Sequence, residues 1–312
     1  VIGLSFANIK EKDYVTARRK ICQLLADLYA DYAYLMKDGV LEEREREFFA
    51  RTSVDMDDVQ ATMAIHNLSK YLSRYYGKKV IILLDEYDTP MQEAYINGYW
   101  DEVISFMRSL FNSTFKTNPY LERALMTGIT RVSRESIFSD FNNPEVVTTT
   151  SEKYEDSFGF TQEEVWESLK EYDLYEEREN VRVWYDGFTF GRKRDVYNPW
   201  SILNYLGKRE FASYWANTSS NSLVGKLIRE GSADVKITME DLLAGGTLHT
   251  KIDEQIVYNQ LNGSENAIWS LLLAGGYLRV ESSELKDGER EYDLKLTNKE
   301  VVIMFKKMIG GW

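Results

Sequence analysis

Three carboxylates directly follow a run of five apolar residues. The run extends from Val80 to Leu84, and the carboxylates are Asp85, Glu86 and Asp88. Acidic side chains this close together repel one another, so they call for a compensating cation. A hard cation such as magnesium prefers carboxylate oxygens as ligands. The spacing therefore indicates a cation site, and the alternative is an acidic turn that binds nothing.

The apolar run itself predicts a strand. Consecutive apolar residues, β-branched at the start, are typical of a central strand in a parallel sheet, buried on both faces. Pro90 prevents the strand from continuing, and we expect a loop after it. In open α/β sheets, ligands bind just beyond the carboxyl ends of the strands. Asp85 and Glu86 are expected at such a position.

An apolar strand that ends in Asp-Glu is the acidic half of an ATPase site, the Walker B motif. In such a site Asp85 would hold magnesium, directly or through water, and Glu86 would polarise the attacking water. We therefore predict Asp85 as the metal-binding residue and Glu86 as the catalytic base.

Two further residues lie where a phosphate site would need them. Thr127 ends the next predicted strand, so its hydroxyl could reach a γ-phosphate or the attacking water. The alternative for Thr127 is a local hydrogen bond at the strand end. Arg131, with Arg134 nearby, could stabilise the charge that builds up in phosphoryl transfer. The alternative for Arg131 is a surface ion pair.

The sequence contains no glycine-rich phosphate-binding loop of the form Gly-x-x-x-x-Gly-Lys-Ser/Thr. Gly77-Lys78-Lys79 and Gly225-Lys226-Leu227 lack both its spacing and its hydroxyl. Since that loop supplies the backbone N–H groups that surround the phosphates, this chain by itself is not expected to bind ATP tightly.

Composition limits the class of protein. Of the 312 residues, 44% are hydrophobic and 28% are charged, which is typical of a globular protein. No apolar run approaches the roughly 18 residues that span a bilayer. A single cysteine, Cys22, excludes an internal disulfide and fits a reducing cytoplasm. The net charge of −12 argues against broad binding to nucleic acid or to an anionic membrane.

Hydrophobic periodicity predicts an α/β domain over residues 1–156. Besides the central strand, strands are expected at Val1–Phe6, Arg123–Thr127 and Val146–Thr150. Amphipathic helices are expected between them, over residues 11–36, 41–51, 55–76 and 99–115. The alternation of strands and helices argues for a three-layer α/β architecture.

Residues 157–207 have a different pattern. Thr161 and Glu164 form a capping box that opens a helix, and Asn198 with Pro199 caps another. Together with a hairpin between them, these helices are compatible with a lid or a winged-helix-like subdomain.

The expected hairpin lies between the two helices. Asp186-Gly187 separates two short stretches, Val181–Tyr185 and Phe188–Phe190, which is a strong hairpin signal. For residues 208–312 we expect a small α+β region of unknown role.

Five ordered motifs resemble the bacterial predicted AAA-ATPase-like family, and the match spans roughly residues 1–206. They are Leu-Leu-Asp-Glu-Tyr-Asp-Thr-Pro (83–90), Thr-Gly-Ile-Thr-Arg-Val-Ser-Arg-Glu-Ser-Ile-Phe-Ser-Asp-Phe-Asn-Asn (127–143), Phe-Gly-Phe-Thr-Gln-Glu-Glu-Val (158–165), Trp-Tyr-Asp-Gly-Phe-Thr-Phe-Gly (184–191) and Val-Tyr-Asn-Pro-Trp-Ser-Ile-Leu (196–203). Members commonly carry a P-loop upstream of the strand that matches Val1–Phe6. Many also carry a C-terminal PD-(D/E)XK nuclease-like domain.

The resemblance implies that this chain is the middle part of such a protein. Its sheet would be like that of P-loop NTPases but incomplete, because the P-loop strand is absent. Asp85 would be the magnesium-site carboxylate, Glu86 the catalytic base, Thr127 the sensor and Arg131 a helper, with Asp85, Glu86 and Thr127 at the nucleotide. ATP and Mg²⁺ are the cofactors implied for the full-length protein, and the chain as given is expected to be inactive.

A non-catalytic interaction module is the alternative function. The region from Phe158 to Leu206 would then bind a protein or DNA partner. The phosphate-facing patch would consist of four basic residues near the predicted hairpin: Arg182, Arg192, Lys193 and Arg194.

The missing P-loop strand also has a structural corollary. The predicted strand Val146–Thr150 must either pair directly with Arg123–Thr127 or leave unpaired backbone groups at that edge.

Overall fold

The computed structural model describes residues 1–37, 39–129, 144–217, 221–253, 258, 261 and 264–310. The protein is mixed α/β and consists of two compact units, Val1–Pro144 and Glu145–Trp312. The expected division into three parts, with boundaries after residues 156 and 207, stays a prediction. None of the described helices combines the length and the apolar character needed to cross a membrane.

The first unit is built around a parallel sheet. The described strands are β1 (Ile2–Ser5), β2 (Val80–Asp85) and β3 (Leu121–Met126). The described helices are α1 (Tyr14–Asp31), α2 (Glu43–Arg51), α3 (Asp58–Tyr76), α4 (Thr89–Asn97) and α5 (Trp100–Phe115). The strand order is β1-β2-β3 with both pairs parallel, so the apolar run does form the central strand.

Only one face of this sheet is well buried. Leu4, Ile82 and Leu84 are at most 6% exposed, and α3 packs against β2, α1 and α5. On the opposite face, Ile81 and Leu83 are 39% and 41% exposed. The expectation that β2 is buried on both faces is therefore wrong, because the described helices leave the second face open.

The chain after β2 is helical where a loop was expected. Pro90 lies in the first turn of α4, and Gly98, whose φ is +83°, caps the carboxyl end of α4. Proline is favourable at that position because the first N–H groups of a helix have no intrahelical acceptor. The strand β2 already ends at Asp85, and Pro90 helps to begin the helix that follows.

The predicted strand Val146–Thr150 is also wrong. These residues form coil and a turn in the second unit, where the Thr148 N–H donates to Ser151 Oγ at 2.9 Å. Hydroxyl side chains compete with strand pairing in this way. Among the described residues β3 pairs only with β2, so its outer edge is open.

The second unit contains two antiparallel three-stranded sheets among its described residues. One has the order β4-β6-β5, from β4 (Phe160–Thr161), β5 (Phe188–Phe190) and β6 (Lys193–Tyr197). The other has the order β7-β9-β8, from β7 (Leu248–Lys251), β8 (Leu278–Lys286) and β9 (Glu289–Leu296). The described helices are α6 (Gln162–Glu171), α7 (Arg178–Tyr185), α8 (Pro199–Lys208), α9 (Ser222–Glu230), α10 (Ala233–Leu243), α11 (Glu265–Ala274) and α12 (Lys299–Ile309).

The predicted hairpin at Asp186-Gly187 is wrong. Val181–Tyr185 belongs to α7, whose buried Val181 and Tyr185 are spaced one helical turn apart. The hairpin joins β5 to β6 and turns at Gly191-Arg192. Gly187, with φ +116°, lies so close to the Thr297 carbonyl that any side chain there would overlap it. The Asp-Gly pair therefore ends a helix and approaches another backbone segment.

Candidate functional site

Three polar residues lie together at the carboxyl edge of the parallel sheet. Ser5 of β1 is opposite Asp85 of β2, and Leu84 is opposite Met126 of β3, which places Thr127 directly beyond β3. Ser5, Asp85 and Thr127 are all exposed. The strand order thus places a carboxylate between two hydroxyls at the edge where α/β sheets bind ligands.

Both hydroxyls hold the Asp85 carboxylate. Thr127 Oγ1 donates to Oδ1 at 2.7 Å, and Ser5 Oγ donates to Oδ2 at 3.1 Å. The Thr127 N–H donates to the Leu84 carbonyl at 2.9 Å, which continues the sheet pairing up to this point. A carboxylate has about four acceptor sites, so Asp85 retains acceptor capacity towards solvent.

Glu86 adopts a backbone conformation that is rare for a residue with a side chain. Its φ is +47°, in the left-handed region, which costs on the order of 1–3 kcal/mol. Its N–H donates to Thr127 Oγ1 at 3.4 Å, and its carboxylate accepts from Thr89 Oγ1 at 3.1 Å. These contacts hold the exposed Glu86 at the same edge as Asp85. Backbone strain of this kind is concentrated at functional sites.

Asp88, the third carboxylate of the cluster, is in a different position. It is 3% exposed, immediately before α4. A Cβ atom at Gly128 would lie 2.5 Å from Asp88 Oδ1 and 2.9 Å from the Tyr87 ring. The turn after β3 therefore packs directly on the turn after β2, and it requires glycine. Asp88 belongs to this packing rather than to the exposed acidic surface.

The structure brings together three of the four predicted site residues, Asp85, Glu86 and Thr127. Arg131 and its neighbour Arg134 lie outside the described residues. Ser5 was not among the predicted site residues. A polar side chain at the end of a predicted strand was the signal that could have found it. The chemical roles of all these residues stay predictions.

The donor set at this edge suits a magnesium ion that is shared with a ligand. In the described part of the chain, no group of three or more His, Cys, Asp or Glu side chains could hold a metal by itself. Magnesium in nucleotide sites is usually bound through one or two carboxylates, with waters and phosphate oxygens as the other ligands. Asp85, with the hydroxyls of Ser5 and Thr127 beside it, offers hard oxygen atoms of this kind.

Comparison with known proteins gives two matches. Residues 1–138 match the AAA-ATPase-like family, which is described as a predicted AAA-ATPase. A protein of Azotobacter chroococcum mcd 1, described as an uncharacterized protein in the vnfD 5' region, is 25% identical over 226 residues. That match includes 72% of this chain but spans only 42% of the relative. No solved structure matches. The resemblance to the predicted AAA-ATPase family is thus confirmed over residues 1–138.

Proposed function

We propose that the protein binds ATP with Mg²⁺ at the edge formed by Asp85, Glu86 and Thr127, and hydrolyses it. One observation carries this proposal: the Asp85 carboxylate is held by hydroxyls from both neighbouring strands and still faces solvent. The sequence holds no glycine-rich phosphate-binding loop, so activity requires that such a loop is supplied from outside these 312 residues.

Each residue at the edge has a proposed role. Asp85 would hold Mg²⁺, which, when bound, withdraws charge from phosphate oxygens. Glu86 would accept a proton from the attacking water. The Thr127 hydroxyl donates to Asp85, so we assign to it the orientation of that carboxylate, together with Ser5. To contact a phosphate, the Thr127 hydroxyl would have to give up its hydrogen bond to Asp85.

The sheet also supports the finer prediction of P-loop-NTPase-like layering. In the described part of the chain the outer edge of β3 is open, so a further strand could pair there, and a second helical layer could pack on the exposed face. That face carries Ile81, Leu83 and Leu125, which are 39%, 41% and 60% exposed. In the second unit, α6, α7, the β5–β6 hairpin and α8 are compatible with a winged-helix-like lid.

Glu86→Gln tests the catalytic assignment. In the chain extended by an upstream phosphate-binding loop, we expect phosphate release to fall by about 10²-fold or more, because the amide cannot accept the proton. Binding of ATP should change little, since the amide has the same size. The matched control is Glu122→Gln, an exposed glutamate of β3 outside the site. Equal release by the wild type and Glu86→Gln would reject Glu86 as the base.

A partner-binding role is the second candidate, and one observation favours it. Trp200 and Leu203, one turn apart on α8, are 54% and 57% exposed. Such a pair is typical of a contact surface for another protein.

The DNA version of this candidate has less support. Arg192 pairs with Glu152 at 2.7 Å, and Arg182 lies within 3.5 Å of the Asp186 carboxylate. DNA binding through all four basic residues would give a salt slope of about −3 to −4. If a DNA duplex does not bind, or if its binding does not depend on salt, the hypothesis of a DNA partner is rejected.

A further inference from the structure

The second unit contains a cavity of about 390 Å³. It is bordered by α7, the β5–β6 hairpin, β8 and the turn before α12. Its size falls in the lower part of the range of roughly 300–1,000 Å³ that is usual for small-molecule sites. Its charged lining residues are Arg182, Asp186, Arg194, Asp195, Arg279 and Glu281.

Two arginines that line the cavity retain N–H groups that could donate to a ligand. Arg194 Nη2 donates to the Glu281 carbonyl at 2.6 Å, and Arg194 has no carboxylate partner in the described part of the chain. Arg279 pairs with the Glu281 carboxylate at 2.7 Å and donates to the Thr297 carbonyl at 3.3 Å. The buried Nε–H of Arg279 has no acceptor among the described residues. Such unmet buried donors are rare in native proteins and need an explanation.

A pair of acids lines the same cavity. Asp186 is 7% exposed, and its carboxylate accepts from the Gly187 N–H at 2.6 Å. Arg182 lies 3.5 Å from the Asp186 carboxylate and 3.9 Å from that of Asp195, beyond ordinary hydrogen-bond distance. Burial, and next the charge of Asp195, raise the pKa of Asp186 to about 6. A hydrogen-bond donor placed beside the two carboxyl groups would favour their ionised form, so the pair suits a ligand that donates a hydrogen bond.

We propose that this cavity binds a small ligand that carries an oxyanion next to a hydroxyl or amino group. Arg194 and Arg279 would bind the oxyanion, and Asp186 with Asp195 would accept from the neighbouring donor. Guanidinium groups suit carboxylates and phosphates alike, because their N–H groups form a planar fork. Phosphate monoesters of small hydroxylated compounds and free amino acids share this chemistry. The site uses residues of the second unit alone and does not depend on the proposed ATPase activity.

Three probes distinguish the two sources of this chemistry: inorganic phosphate, glycerol 3-phosphate and glycine. Each is titrated into the whole chain by calorimetry. We expect glycerol 3-phosphate or glycine to bind saturably and more tightly than inorganic phosphate, because only they present a donor to the carboxyl pair. Tighter binding of glycerol 3-phosphate identifies a phosphate ester as the ligand, and tighter binding of glycine identifies an amino acid. Absence of saturable binding by all three, or equal binding of inorganic phosphate, overturns the proposal.

A matched pair of variants locates the binding. Arg194→Gln removes a charged donor from the cavity and should lower the affinity for the preferred probe about 10- to 100-fold. Arg192→Gln removes an equivalent charge from the same hairpin, but this side chain is 79% exposed, pairs with Glu152 and does not line the cavity. It should leave the affinity unchanged, and thermal melting of both variants confirms that they fold. If both variants lose the same affinity for the probe, the proposal is overturned and general surface charge explains the binding. The same holds if a DNA duplex binds and both variants weaken its binding equally.

Discussion

Glu45 in the first unit and Asp186 in the second are both buried carboxyl groups, yet their pKa values shift in opposite directions. They are 8% and 7% exposed, and burial by itself raises the pKa of both. At Glu45, hydrogen bonds from Arg74 and Lys70 outweigh burial and lower the pKa to about 2. At Asp186, the neighbouring Asp195 adds to burial, and the pKa rises to about 6. The charges next to each carboxyl group therefore decide whether its pKa is lowered or raised.

The two environments suit different purposes. Glu45 belongs to α2, while Lys70 and Arg74 belong to α3, at N–O distances of 2.7 Å and 2.6 Å. This ion-pair network fastens α2 to the helix that packs against β2. Asp186 lines a cavity, and its ion pair with Arg182 is longer, at 3.5 Å, than those in the Glu45 network. Incompletely compensated charge in a cavity is typical of binding sites.

Removal of the Glu45 charge should have the largest effect on stability. Glu45→Gln leaves two cations facing a neutral amide, and we expect a loss of about 2–4 kcal/mol in the free energy of unfolding near neutral pH. The ionised form is favoured in the fold, so this contribution is present above the ordinary pKa of about 4.5 and is lost as the pH falls towards 2. Urea unfolding at several pH values measures it.

The control for this change is Glu43→Gln, an exposed glutamate of the same helix. Its effect should be small and nearly independent of pH. If both variants lose the same free energy, the Glu45 network does not fasten α2 to α3.

Asp186→Asn should raise the free energy of unfolding, whereas Glu45→Gln lowers it, and its effect should be somewhat smaller. Because the folded pKa is above the ordinary value of 3.8, ionisation of Asp186 destabilises the fold as the pH rises through about 6. The variant should be about 2 kcal/mol more stable than the wild type at about pH 8, and the difference should vanish towards pH 4. A constant difference across this range would contradict the raised pKa.

Asp195→Asn should produce the smallest change of the three. It removes the neighbouring charge but leaves Asp186 buried, and burial is the larger cause of the shift. We expect a gain of about 1 kcal/mol or less at alkaline pH, together with a lower pKa for Asp186. Titration of the Asp186 carboxyl carbon by NMR follows this directly. A pKa that returns to its ordinary value would make Asp195, rather than burial, the main cause.

Much of the first unit follows from its sequence. The apolar run of β2, the strand before it and the stripes of α1, α3 and α5 all predict elements that the structure contains. The position of Asp85 beside Thr127 follows once the two strands are neighbours. Ser5 could not be assigned from spacing alone, because its contact with Asp85 depends on the register of β1 against β2.

The errors lie where a local signal competes with the surroundings. Val181–Tyr185 has strand-like composition, but burial of Val181 and Tyr185 one turn apart favours a helix. Asp186-Gly187 has the composition of a hairpin turn, yet glycine is needed there for the approach of Thr297. The cavity near Asp186 combines residues that are far apart in sequence, since Arg182 and Thr297 are separated by 115 positions. No local pattern predicts such a combination.

The exposed side of the parallel sheet has a practical consequence. In the described part of the chain, β3 has an unpaired outer edge, and Leu125 on it is 60% exposed. Bare strand edges with apolar side chains are templates on which other polypeptides add, including further copies of the same chain. Concentrated preparations of these 312 residues should therefore self-associate through intermolecular β-structure, and dilution or an added charge at position 125 should suppress it.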